Sequence, residues 1–276
     1  MKITYFGEQG SFSEMAARRR FKKAVFRAGK TAADCFEDLR RGRAEVIVVP
    51  IENASGGMID PTVDEMNRFG AWHPGKHWVR EELLMSIELL LLARGKRPLS
   101  QIKRVYSHRA PFDHCHSWLK QNLPKAQRVL CGSTPLAAAE AAQDSEGAAI
   151  ASAEAAQLHG LEIINREVGR KAQNRTKFFA IGKGYPLRAK PGLATVFFEL
   201  PDTVGALCDV LTVLKENRIN LSRISSRPIY GRQDEYTFNA ELELASKPAA
   251  MEKLMARLKP VTDVLTLVGH YPLVRI

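Results

Sequence analysis

A hydroxyl held between two cations is the first arrangement here with a chemical use. Gln173-Asn174-Arg175-Thr176-Lys177-Phe178 sets Thr176 between Arg175 and Lys177 just ahead of an apolar strand. Like charges so close repel unless an anion lies against them, so the segment reads either as the seat of an anionic substrate or as a basic surface loop. Residues 50–57 (PIENASGG) follow a Val/Ile-rich run, where Asn53 and Ser55 beside two glycines could hydrogen bond a carboxylate or hydroxyl. Glu52 in the same turn reads equally well as a buried structural acid. In residues 7–14 (GEQGSFSE), Gly7 and Gly10 allow a tight turn, and Ser11 and Ser13 could meet a carboxylate beside free N–H groups or simply cap a helix. Ser107-His108 and Ser133-Thr134 stand at two further strand ends.

Other chemistries fit less well. No G-x-G-x-x-G or Walker loop is present, and no G-x-S-x-G elbow. His114-Cys115-His116 suggests a metal, but neighbouring helical residues diverge, which favours a structural Cys and exposed His. Four cysteines without a C-x-x-C pair read as reduced thiols, and the N-terminus lacks a secretory pattern, so a cytoplasmic protein is expected. Apolar runs such as Leu89–Ala93 are too short to span a bilayer. The net charge of +11 lies wholly in residues 1–190, with 31 Lys/Arg against 20 Asp/Glu, while residues 191–276 balance. Nothing resembling a nucleic-acid motif accompanies it, so a small anion is the expected partner, and neither nucleic acid nor membrane.

The polar turns need elements to hold them. Up to about residue 182, short apolar runs alternate with helical stretches: strands at 3–6, 46–51, 105–107, 129–131, 148–152 and 178–181, and helices at 13–21, 32–41, 111–121, 136–142 and 153–159. Residues 82–92 form one long apolar segment. Pro135 behind Ser133-Thr134 is a helix-start signal. The alternation predicts α/β layers with mainly parallel pairing, and ligands collect at strand ends in such sheets. Residues 1–182 form the large unit, Lys183–Gly192 (KGYPLRAKPG) the linker, and 193–276 a smaller unit ordered βαββαβ around a turn at Tyr230–Gln233, as in a ferredoxin-like sandwich.

Taken in order, GEQGSFSEMAAR (7–18), VVPIENASGGMI (48–59), YSH (106–108), STPLAAAEAA (133–142), AAIASAEAAQLHGLEII (148–164) and NRTKF (174–178) resemble the prephenate dehydratase family. Residues 204–207 (VGAL), 219–221 (INL) and 226–229 (SRPI) resemble its C-terminal ACT domain. The resemblance implies two periplasmic-binding-protein-like α/β subdomains with a cleft between them, then a ferredoxin-like ACT domain. It implies that prephenate loses its ring hydroxyl and one carboxylate to give phenylpyruvate, without metal or organic cofactor. Thr176 maps to the catalytic threonine. Gly10, Ser11, Phe12, Ser13, Asn53, Ala54, Ser55, Ser107, Ser133, Thr134, Arg175, Lys177 and Phe178 map to substrate positions. Gly205, Ala206, Leu207, Asn220, Leu221, Ser226, Arg227 and Pro228 map to a phenylalanine site between subunits of a homodimer or homotetramer.

Several positions depart from that pattern. Lys177 stands for an arginine, Ala54 for a hydroxyl residue, Ala110 for a glutamine, Leu89 for a histidine and Ser225 for a glutamate. A dehydratase would need compensation, from Arg109 or Arg175. Two alternatives follow: a prephenate decarboxylase that does not aromatise the ring, and a catalytically silent amino-acid sensor.

Overall fold

The Val/Ile run expected to be buried is the spine of the first sheet: Val46–Asn53 has its first six residues enclosed. The structure, a computed structural model, describes residues 1–69, 76–170, 174–184, 192–229, 232, 235–244 and 248–276, apart from the side chains of 248 and 249. Most of the expected linker, most of the turn expected at Tyr230–Gln233, and Gln173 lie outside the described residues. Across the first sheet the strands run Leu273–Arg275, His77–Ser86, Arg175–Lys183, Val46–Asn53, Lys2–Phe6 and Val25–Gly29, with Gly57–Met58 folded onto Val46–Asn53. The second sheet runs Glu162–Asn165, Leu90–Ala93, Gly147–Ala151, Arg104–Ser107 and Gln127–Leu130.

The long apolar segment 82–92 is two strands in two sheets, with 87–89 crossing between the subdomains. The chain crosses back before Arg175, and the two crossings touch where Ile87 N donates to Asn174 O at 2.8 Å. With this return the pairing is mixed, and not mainly parallel as expected. Arg175–Lys183 runs antiparallel to both of its neighbours, and Leu90–Ala93 is antiparallel to Gly147–Ala151 and Glu162–Asn165. Strands reached by crossovers within one subdomain stay parallel, as Lys2–Phe6 does with Val25–Gly29 and Val46–Asn53. Helix starts follow local chemistry. Thr31 and Asp34 form a reciprocal cap, and Ser133 and Ser152 accept from Leu136 N and Ala155 N. One core joins the subdomains, running from Ala16, Leu83 and Met85 to Phe112, Trp118 and Ile150.

The C-terminal unit has the expected βαββαβ order, with strands 220–228, 236–243, 193–199 and 264–271 side by side and antiparallel. Its helices cover one face through Val210, Leu214, Met251 and Leu254. The other face lies on the first sheet, where Phe197, Val268 and Tyr271 pack with Val79, Phe179 and Ile181. After Tyr271 the chain turns back, and Leu273–Arg275 adds to the first sheet parallel to His77–Ser86. So the small unit is both stacked on the large one and stitched into it.

Charge is buried at this interface. Lys177 Nζ lies 3.1 Å from Glu241, 3.3 Å from Glu52 and 3.6 Å from Glu82, and Arg223 is 3.1 Å from Glu52 and 3.2 Å from Glu241. A bulge between Leu221 and Arg223 re-aims the guanidinium toward this cluster. Burial, then the hydrogen bond to and charge of Glu241, push Glu82 up to about 8. Glu241, which burial alone would raise, is brought down to about 2 by its bond with Glu82 and by Arg223 and Lys177. A proton kept on Glu82 leaves two cations against two carboxylates, and gives a buried acid with no other hydrogen bond a donor to Glu241. Because the folded value lies above the ordinary 4.5, the folded state holds a proton that the unfolded chain releases, and stability falls as pH rises from 4.5 towards about 8. Glu82→Gln is expected to flatten that decline, read as the pH dependence of the urea midpoint relative to the unsubstituted protein.

Candidate active site

Antiparallel register places Thr176 opposite Asn53, one at the start of its strand and the other at the end. The Asn53 amide uses all its hydrogen-bonding capacity. Nδ2 donates to Thr176 Oγ1 at 2.8 Å and to Asn174 Oδ1 at 3.0 Å. Oδ1 accepts from Ser55 N at 2.9 Å and Gly56 N at 3.1 Å. An amide offers two donors and two acceptor sites, so none remains for a ligand. Asn53, expected to bind substrate, is instead a clamp that fixes the turn and orients Thr176. Since Thr176 Oγ1 accepts from Asn53, its own O–H points elsewhere and can donate. Thr176 and Asn174 are 7% and 8% exposed, so this hydroxyl is screened from bulk water without being sealed.

Two neighbours of Thr176 are placed differently from the expectation. Side chains alternate along a strand, so Lys177 and its partner Glu52 face the C-terminal sheet and the charge cluster, on the side away from Thr176. Phe178 returns to the Thr176 side but is 1% exposed and packs in the shared core with Leu83 and Met85. Neither presents a surface to a cleft ligand. Arg175 is exposed at the strand start, and its carbonyl accepts from Ala54 N at 2.8 Å. Ala54 itself is exposed beside it.

The remaining loops converge from both subdomains. Gly10 has φ +84°, and a Cβ there would meet Leu158, Ala155 and Pro135, so its turn lies against the starts of helices 134–143 and 153–159. Ser11 caps Phe12–Arg20 by accepting from Glu14 N, while Ser13 is buried and Phe12 packs on the shared core. Ser133 Oγ donates to Glu8 Oε2 at 2.6 Å, and Ser152 Oγ to Gly10 O at 3.3 Å, linking the first loop to the second subdomain. Thr134 is buried behind Ser133. Ser107 has no exposure and donates to Ile150 O at 2.8 Å, so its proton is committed inside the second sheet.

Two polar residues beside the Asn53–Thr176 pair are not among the expected substrate positions. Asn174 shares the Asn53 amide. His114, expected to be exposed, is half-buried, with Nδ1 2.6 Å from Ser55 Oγ and Nε2 3.0 Å from Gly169 O. Helical spacing could have found it, because His114 stands one turn beyond Ala110, whose Cβ faces Gly56 in the same loop. Arg109, a candidate for compensation, is instead paired with Asp113 at 2.9 Å on the exposed side of that helix.

The residues expected at an effector site divide into separate groups. Gly205, Ala206 and Leu207 line a cavity of about 520 Å³ with Glu199, Asp202, Tyr236 and Phe238. Asn220 and Leu221 lie at the far end of their strand, opposite Glu243 and Leu242, whereas Pro228 faces Tyr236. Ser226 is exposed on the same strand, which is an edge of its sheet. Arg227, expected at the effector, makes a two-pronged contact with Asp64 at 2.9 and 3.0 Å and also meets Asp60, so within the chain it ties the C-terminal sheet to helix 60–68. Among the described residues no helix is long and apolar enough to cross a membrane.

Known proteins share this arrangement. The prephenate dehydratase family profile matches residues 3–185 and the ACT domain profile residues 194–258. A bifunctional chorismate mutase/prephenate dehydratase of Aquifex aeolicus is 31% identical over 99% of this chain and 74% of its own length. A prephenate dehydratase of Lactococcus lactis is 30% identical over 92% of each. Among solved structures, the prephenate dehydratase of Arthrobacter aurescens in complex with L-Phe superposes with a TM-score of 0.86 at 26% identity, covering 99% of this chain and 90% of that one. GqqA, described as a novel type of quorum quenching acylase, has the same fold, with a TM-score of 0.82, 23% identity, and coverage of 99% and 98%. The chain therefore belongs to the prephenate dehydratase family, a family of lyases, and carries that family's catalytic domain followed by an ACT domain.

Proposed function

We propose that this protein converts prephenate to phenylpyruvate, carbon dioxide and water, and that phenylalanine restrains it through the ACT domain. The observation that carries the reading is the direction of one hydrogen bond. Asn53 donates to Thr176, so the Thr176 hydroxyl keeps its own proton to donate to a substrate. In the reaction the bond to the ring carboxylate breaks, its electron pair moves through the diene, and the ring C–O bond cleaves. The departing oxygen takes up one proton and leaves as water. Thr176 supports that oxygen by a hydrogen bond as its negative charge grows, with the proton drawn ultimately from solvent. Aromatisation drives the reaction, and the substrate carboxylates suit the helix starts near Ser11 and Ser133. The retained donor favours dehydration over decarboxylation without aromatisation, and over a silent sensor. The cysteines are all free thiols, which suits the cytoplasm.

Thr176→Ala is expected to lower kcat by roughly 10²–10³-fold, the usual cost of losing one donor to developing charge. Asn53→Asp replaces the donating NH₂ with an acceptor, so Thr176 would turn its proton inward. It is expected to lose comparable activity while keeping its fold. Ultraviolet detection of phenylpyruvate from prephenate checks both variants. Carbon dioxide release without an aromatic product from the unsubstituted protein would replace this reading with decarboxylation.

The expected effector residues at 205–207 and at 220–221 lie at opposite ends of the ACT unit in one chain. A second copy packed along the edge strand 220–228 would bring the two groups together, and Ile224, 41% exposed on that strand, is the natural contact. Ile224→Glu is expected to shift the protein to monomer in light scattering and to abolish phenylalanine inhibition.

A further inference from the structure

His114 joins three pieces of chain that come from both sides of the cleft. It sits on helix 109–122, reaches Ser55 in the turn that follows Asn53, and reaches Gly169 in the segment returning from the second subdomain. A carbonyl oxygen only accepts, so the Nε2 facing Gly169 O carries a proton. In the neutral imidazole Nδ1 is then an acceptor, and the Ser55 hydroxyl donates to it. Ser55 N already donates to Asn53 Oδ1. Both Ser55 donors are thereby engaged, and its remaining capacity is a pair of acceptor sites.

We infer that His114 is a positioning residue for the proposed dehydration: it fixes the Ser55 hydroxyl as an acceptor beside the Asn53–Thr176 pair and clasps helix 109–122 and the Gly169 turn onto that loop. This rests on the reading of the site as a dehydratase centre. An acceptor at Ser55 welcomes a hydroxyl group and repels a carboxylate, so it turns the hydroxyl end of the substrate toward Thr176. The clasp has room because its neighbours are small or apolar. Ala110, one helical turn earlier, packs on Gly56, and a Cβ on Gly169 would lie 2.9 Å from that of Leu89.

The test compares His114→Phe, which keeps a flat ring without hydrogen bonds, with His114→Gln, which keeps one acceptor and one donor. His114→Phe is expected to lower kcat roughly ten- to hundred-fold with a smaller change in KM and an unchanged Tm. His114→Gln should recover most of that loss, and Ser55→Ala combined with His114→Phe should be no worse than the poorer single variant. Activity of His114→Phe within about two-fold of the unsubstituted enzyme, or His114→Gln as impaired as His114→Phe, overturns the inference. Nitrogen chemical shifts of the unsubstituted protein give a reading independent of turnover and of variant folding. A pyridine-type Nδ1 and a pyrrole-type Nε2 support the inference, and a pyrrole-type Nδ1 overturns it. Absence of any product from prephenate in the unsubstituted protein would instead sink the dehydratase reading and leave the imidazole result standing.

Discussion

Four hydrogen bonds to one amide hold the catalytic region together. Each polar atom of the Asn53 side chain is satisfied twice, and a half-buried amide left partly unsatisfied would cost about 1–3 kcal/mol per lost partner. Satisfying all four requires that strand 175–183 lie antiparallel to strand 46–53 in one register, that the turn 54–57 fold back tightly, and that Asn174 sit where the chain re-enters the first sheet. The topology of two crossings between subdomains provides these conditions. A slip of one residue would send Thr176 to the ACT side and Lys177 into the cleft.

That strand pair has two faces with different tasks. On one, Asn53 orients Thr176. On the other, the adjacent residues Glu52 and Lys177 are locked to Glu241 and Arg223 of the ACT sheet. Desolvated charges tolerate separation poorly, because a parted ion inside the protein has neither water nor partner. Sliding of the ACT sheet against the first sheet is therefore opposed by residues one peptide away from Asn53 and Thr176. Arg227 on Asp60 and Asp64, together with strand 273–275 in the first sheet, adds attachments at two more places. The two units are mechanically continuous.

Period and turn chemistry made much of this legible. The polar turns do meet where the two subdomains face each other, and the buried run at 46–51, the serine caps, and the βαββαβ order all follow from local pattern. Strand direction did not, because it depends on where a crossing segment returns, and residues 82–92 carry no internal sign that they change sheets. From its neighbours in sequence alone, Lys177 reads either as a cation beside an anionic substrate or as part of a basic surface loop. Once Arg175 begins a strand, alternation alone sends Lys177 to the opposite face. Asn53 was read as a ligand because a polar residue in a glycine-rich turn looks available, and only its partners reveal that it is saturated. The last strand, Leu273–Arg275, is too short to carry a pattern.

The departures from the family pattern fall around the centre and leave it intact. Ala54 contributes its backbone N–H to Arg175 O, so the loss of a hydroxyl there leaves the turn held. Ala110 and Leu89 are apolar groups packed on Gly56 and Gly169, and between them His114 supplies the polar contact that neither offers. Lys177 is a point charge among three acidic side chains, a setting in which the loss of guanidinium geometry matters less than it would against a bound carboxylate. Ser225 lies on the ACT strand between Arg223 and Arg227, both of which reach the catalytic domain, so its change concerns the interface and not the reacting groups. A sequence drifting towards inactivity would have no reason to spare the one amide whose four bonds aim the threonine. The changes lie beside the Asn53–Thr176 pair and at the interface with the ACT domain, and the hydrogen bond from Asn53 to Thr176 has been kept.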